Sequence, residues 1–360
     1  MFVGVDPAAL RRCHVAVDLG ASRTRIRLKN GGLIVDEPSL AAVDTRSGGL
    51  VAVGSVAARM VGRSPDHIRV ARPISSGTVV DTELAQSMLR QMVDRRIAPL
   101  WRRPGAVRAV VGVPHDSGPL TRKAAVVALN GLGVRKVELV DIPVAAAVGC
   151  GLPVDLPEAA MVVICGAATT QIAVLSLGAV VASIVVPVGG DAIDHALGEH
   201  LRARHGVEMP TGAVREIYRR VDDDDVISIV GKDVGSGLAR TLSIESAGVR
   251  DIIGTPLRAL LDGITSVLRR SPPDLVVDLA DRGIIIAGGG AHIPGLDTMV
   301  RGATGMPVHV APEPATRVID GLARIMDGRS AQPQPRHPVP AETRAEEEPA
   351  TDPEAFVPIA

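Results

Sequence analysis

The sequence predicts two similar α/β domains facing each other across a cleft. Three observations carry that expectation. Each half of the chain opens on one plan, a strand, a turn of small residues and a second strand: "HVAVDLGASRTRIRL" from His14 and "MVVICGAATTQIAVLSL" from Met161. Each half then runs on into strand–helix units, the pattern that packs helices against a sheet. With 360 residues, 46% hydrophobic and 22% charged, the chain has enough apolar material for two cores. Aromatic residues make up 1%, so those cores are aliphatic.

The elements follow in order. From Val15 the pattern is strand, Gly turn, strand, then a Gly31-Gly32 turn into a further strand. "SLAAVDTRSGGLVAVG", from Ser39, continues the antiparallel pattern. "DTELAQSMLRQMVDRR" sets Leu84, Met88, Leu89, Met92 and Val93 on one helical face, with Asp81 or Thr82 as the cap. "VRAVVGVP" is a buried strand, "LTRKAAVVALNGLG" a helix closed by glycine, and "KVELVDIP" another strand. In the second half "VVASIVVPVGG" completes the strands about the Gly166 turn, and "DAIDHALGEHLRAR" is a helix with Asp191 near its start. "TPLRALLDGITSVLRR" is a longer amphipathic helix, and "RGIIIAGGGAHIPGLDTMV" is strand, triple glycine, helix. After Gly328 the composition changes, and in the last thirty residues seven prolines and six acids against two arginines predict a disordered tail.

Composition narrows the function. A formal net charge of -1 argues against a dedicated nucleic-acid binder. Cys13, Cys150 and Cys165 lack CxxC spacing and suit reduced thiols in a cytosol. The opening "MFVGVDPAALRR" does not read as a signal peptide, and no window reaches the length of a membrane-spanning helix. His195, His200 and His205 read as surface residues without a metal, because five-residue spacing does not stack ligands on a helix face. Asp222–Asp225 reads as a solvated loop tip.

Three small-residue turns can present backbone N–H groups to phosphates: Asp18–Thr24, Cys165–Thr170 and Ala287–His292. Two open the half-domains and the third is a late strand-GGG-helix, so together they point to a nucleotide. Phosphate chemistry wants a carboxylate near such a turn. The second turn offers only Ile164, Cys165 and Gln171.

These motifs resemble MreB and the MreB-like bacterial actins. "VAVDLGASRT" resembles the first phosphate motif of that family and "DIPVAAAVGCGLPV" its first connecting segment. "LIVDEPSLAAVD", "AVGSVAARMVGRSP" and "IRVARPISSGTVVD" resemble segments particular to it, and "VGGDAID" and the GGG turn fall in register. The resemblance spans Val15 to Gly328 and implies an actin-like ATPase fold, two ribonuclease-H-like α/β domains clamping ATP with magnesium. It implies domain I over 14–145 with a small subdomain near 30–75, and domain II over 146–314 with a small subdomain near 205–250. A C-terminal helix over 315–328 would return to domain I, ahead of the tail at 329–360. It also implies a cytoplasmic protein that assembles with itself into paired filaments. These would lie on the inner face of the cytoplasmic membrane and organise cell-wall synthesis proteins.

By position, Asp18 would face the hydration shell of the metal, and Gly20, Ala21, Ser22 and Arg23 would line the first phosphate turn. Gly166, Ala167, Ala168 and Thr169 would line the second, Glu216 would reach the ribose, and Gly288, Gly289 and Gly290 would admit the α-phosphate and adenosine side. The chain also departs from the family. The glutamate that orients the attacking water is Ile142, and the aspartate opening the second phosphate motif is Ile164. Asp141 is one residue away, but neighbouring side chains in extended backbone point to opposite faces. Ala167 and Ala168 replace glycines, where methyls can crowd a phosphate and resist positive φ, and Arg23 replaces an asparagine.

The loop "RRIAPLWRRPG" carries Leu100 and Trp101 between arginines, where the resemblance implies an apolar tip for the bilayer. The expectation is therefore a filament protein that binds ATP and hydrolyses it poorly or not at all. Two alternatives stand beside it. One is an active actin-fold ATPase, kinase or chaperone-like enzyme; the other is a nucleotide-free, monomeric pseudo-actin scaffold.

Overall fold

The computed structural model describes residues 7–97, 107–210 and 212–328. Two five-stranded sheets share one topology. In the first, Val15–Leu19 is central. Arg23–Leu28 and then Gly32–Pro38 join it antiparallel on one side, and Arg108–Val113 and then Lys136–Asp141 join it parallel on the other. In the second, Ala160–Cys165 takes the central place. Thr170–Ser176 and Ala179–Val186 are its antiparallel partners, and Ile284–Ala287 and Val308–Val310 its parallel ones. The repeat seen in the sequence is a repeat of sheet order. Every residue of Val15–Leu19, Ala160–Cys165 and Thr170–Ser176 is buried, as strands covered on both faces require.

The helices pack on these sheets as their apolar stripes dictate. Thr82–Ile97 buries Met88 and Leu89, and Asp81 caps it by accepting the N–H of Leu84 at 3.0 Å. Gly190–His205 buries Ile193, Leu197 and Leu201 and ends on Gly206 in the left-handed conformation.

Three stretches depart from the expectations. Ala41–Asp44 is antiparallel to its neighbours, but these are Leu50–Val53 and Ile68–Ala71, in a separate three-stranded sheet. The chain turns out of the first sheet at Ser39, whose hydroxyl is held by Thr24 and by the carbonyl of Gly20. The helix expected from Thr255 begins at Ser246 and runs to Arg270 with Pro256 inside it. Its buried stripe of Val249, Ile253, Leu257, Leu260, Ile264 and Val267 passes straight through the proline, and that packing offsets the missing N–H. A further small sheet, Val207–Glu208, Val226–Asp233 and Ala239–Glu245, was not anticipated. Its signal was available in "VISIVGKD", where buried and exposed residues alternate.

Two helices cross beneath the cleft, Ile142–Gly149 and Arg317–Asp327. Glycines let their backbones touch. A Cβ on Gly149 would lie 1.8 Å from the carbonyl of Arg317, and one on Gly321 would lie 1.7 Å from that of Ala145. A shared core joins them to both sheets, through Ala16 and Val110 of the first and Val162 and Ala173 of the second. The proline-rich tail, Leu100 and Trp101 lie outside the described residues.

Candidate functional site

The cleft between the two sheets encloses about 700 Å³, and all three small-residue turns open into it. The two hairpin turns are built alike. A Cβ on Gly20 would meet the carbonyl of Arg23 at 2.6 Å, and one on Gly166 would meet that of Thr169 at 2.7 Å. Only a residue without a side chain lets either hairpin close this tightly. The second turn is tied down further. The carbonyl of Gly166 accepts the N–H of Gly190 at 3.1 Å, and that of Ala167 accepts the N–H of Asp191 at 2.8 Å. Gly288 needs its positive φ of 88° and sits against Cys165, where a Cβ would come within 2.3 Å of the carbonyl. A Cβ on Gly289 would meet only open space.

Ala167 and Ala168 both line the cleft, and neither has a positive φ. The strain expected from alanine at these positions does not arise. Cys165 is buried at the end of its strand, and burial pushes its thiol up to about 12, so it is no nucleophile.

The floor of the cleft follows from strand register. Asp18 stands directly across from Arg25, and Arg25 directly across from Asp36, a row over three strands. The Arg25 guanidinium lies 3.7 Å from the Asp18 carboxylate, with Nε 3.2 Å from Asp36. Arg23, on the same strand face, places Nε 2.6 Å from the same Asp36 and donates to its carbonyl as well. Burial raises the Asp18 carboxyl to about 6, with Arg25 opposing the shift. In the second sheet the equivalent pair is Ile164 opposite Gln171. Asp18, Arg25, Ile164 and Gln171 all line the cleft, as does Ile142. The Nε of Arg25 and the Oε1 of Gln171 are both buried without a hydrogen bond.

Asp141 faces elsewhere. Its carboxylate bonds His115 at 2.7 Å and Arg122 at 3.2 Å, outside the cleft lining. Glu216 also stands apart. It is largely exposed, accepts from Arg219 at 2.8 Å, and does not line the cleft. Its helix, Ala213–Arg219, presents Arg215, Tyr218 and Arg219 instead. Arg215 is anchored by Asp194 at 2.5 Å, and burial pushes the Tyr218 phenol up to about 12. Helical spacing of 215, 218 and 219 puts these three on one face and was the signal to read. His200 and His205 approach to 5.8 Å between ring centroids, closer than their spacing suggested, yet no group of three metal-ligating side chains exists among the described residues.

Magnesium does not fit these residues. Asp18 is the lone carboxylate among the described residues of the cleft lining, and it already faces a guanidinium. Ile142 and Ile164 offer no oxygen, and Gln171 offers one neutral amide. Magnesium at a polyphosphate takes most of its oxygen shell from water and phosphate and leans on one or two carboxylates; here the single carboxylate is already engaged, and beside Arg25 a dication meets like charge.

The MreB/Mbl protein family model matches residues 12–333. The cell shape-determining protein Mbl of Bacillus subtilis is 32% identical over 327 residues, 89% of this chain and 97% of that protein. Among solved structures, MreB5 of Spiroplasma citri bound to ADP superposes with a TM-score of 0.81 at 25% identity, over 85% of this chain and 94% of that one. A MamK double helical filament superposes at 0.71 and 19% identity, over 86% and 97%, which bears on the fold alone.

Proposed function

The chain belongs to the MreB/Mbl family, and from that premise we propose that it is a filament-forming, cell shape-determining actin-like protein that binds ATP and scarcely hydrolyses it. The observation that carries this reading is the cleft: three glycine-based turns converge on it, and among the described residues of its lining Asp18 is the one carboxylate. Gly289 leaves room for close approach of a ligand, and the turns around Gly20 and Gly166 direct backbone toward it. The solved relative that holds ADP supports a nucleotide as that ligand. At the two positions where the family resemblance puts the acids that handle water and the metal shell, the lining carries Ile142 and Ile164. Positioning and general-base effects are each worth roughly 10²–10⁴-fold, so their joint loss leaves turnover near background. ATP then acts as a ligand that favours the closed, assembly-ready form.

Assembly would be with copies of itself, on the inner face of the cytoplasmic membrane, where the filament organises cell-wall synthesis proteins. None of the described helices is long and apolar enough to cross a bilayer, so the contact falls to the Leu100–Trp101 tip as a peripheral one. The test is phosphate release measured beside sedimentation and an ATP titration. Polymer with bound ATP and background phosphate release is the expected result. Release at ordinary bacterial-actin rates refutes the loss of catalysis. Absent binding refutes the ligand role and leaves the nucleotide-free scaffold.

A further inference from the structure

We propose that Arg25 takes the place of the divalent cation in this cleft, so that the protein binds the metal-free nucleoside triphosphate. The inference rests on the nucleotide reading above and deepens it. A triphosphate is a polyanion, and in a metal-dependent site a dication neutralises it beside an acid at the position of Asp18. Here that acid already has a resident cation. The Arg25 guanidinium lies 3.7 Å from Asp18 and is fixed from the other side by Asp36, in strict cross-strand register with both. Its side chain is only 11% exposed, so the charge is held in place and weakly hydrated.

A further observation points to a ligand at this spot. The Oε1 of Gln171, which holds in the second sheet the position that Arg25 holds in the first, is buried without a hydrogen bond. Buried polar groups are normally paired, and such an orphan in the lining of the cleft marks a place completed by something polar. The guanidinium fork matches phosphate oxygens. Gln171 is left to accept from a water or a guanidinium N–H and to donate its amide N–H to the phosphate. Arg23, half-exposed and held by Asp36, adds a second guanidinium at the mouth of the same turn. A cleft so furnished favours the free anion over the magnesium complex, which carries less negative charge and would set its metal against the guanidinium.

The experiment is calorimetric titration of the full-length protein with ATP, once in excess magnesium and once in excess chelator. Wild-type protein is expected to bind ATP at least as tightly in chelator. Arg25→Leu is expected to lose about tenfold or more of that metal-free affinity and to regain part of it when magnesium is added, because Asp18 is then released. Arg25→Lys keeps the charge beside Asp18 but loses the fork, and should fall between the two should Arg25→Leu fold poorly. Loss of more than about tenfold in chelator for the wild type overturns the proposal and leaves ATP binding itself intact. Unchanged metal-free affinity in both variants overturns the role of Arg25. Failure to bind in either buffer removes the nucleotide reading and this inference with it.

Discussion

Replacing Asp18 by Asn tests how the floor of the cleft is energetically arranged. Asp18 is 9% exposed, and its carboxyl stands at about 6 against an ordinary 3.8, chiefly because burial disfavours its charge. The folded state therefore holds a proton between those two values that the unfolded state has released. Stability must fall as pH rises through this window and level off above about 6. A rise from 3.8 to about 6 corresponds to about 3 kcal/mol in full, of which about 2 fall between pH ~4.5 and ~7.5. Asn cannot ionise, so the variant lacks this slope. At low pH both proteins present Arg25 with a neutral side chain at position 18 and the same Asp36 partner, so that cost cancels in the comparison. Urea denaturation of the two proteins across the window should show Asp18→Asn gaining on the wild type by about 2 kcal/mol as pH rises. A flat difference refutes the dominance of burial. A difference of opposite sign means that attraction to Arg25 outweighs burial and that the ion pair stabilises the fold.

Three further expectations follow from particular contacts. Gly321→Ala puts a methyl 1.7 Å from the Ala145 carbonyl, which forces the two central helices apart; a loss of about 3 kcal/mol or more is expected in denaturation, and a melting temperature within a degree of wild type would contradict the backbone contact. Ile142→Glu with Ile164→Asp restores the missing acids but leaves Arg25 beside Asp18. Phosphate release should stay at background until Arg25→Leu is added, and full recovery in the double variant alone would show that Arg25 is no obstacle to hydrolysis. Leu100→Ala with Trp101→Ala should abolish pelleting with anionic liposomes, since insertion of the tip contributes a few kcal/mol at most, with about 1 kcal/mol from each nearby arginine. Unchanged pelleting would assign Trp101 to the core.

What the sequence determined by itself is the plan of the two halves. Alternating and continuous apolar runs, broken by Gly20 and Gly166, specify hairpins, because strand, turn and strand are encoded within about a dozen residues. The cap at Asp81 is legible for the same reason. Ile142 and Ile164, singled out by the family resemblance, both line the cleft. The tertiary structure alone decided how side chains meet. Nothing in the sequence singled out Arg25, and only cross-strand register puts it between Asp18 and Asp36. Glu216 and the trio of Arg215, Tyr218 and Arg219 share one short helix, and which of them reaches the cleft depends on how that helix turns against Asp194. Gly149 and Gly321 lie far apart in the chain and acquire their meaning where two helices touch. Local backbone preference is written in neighbouring residues, whereas the charge and shape of a cleft arise where distant segments are brought together.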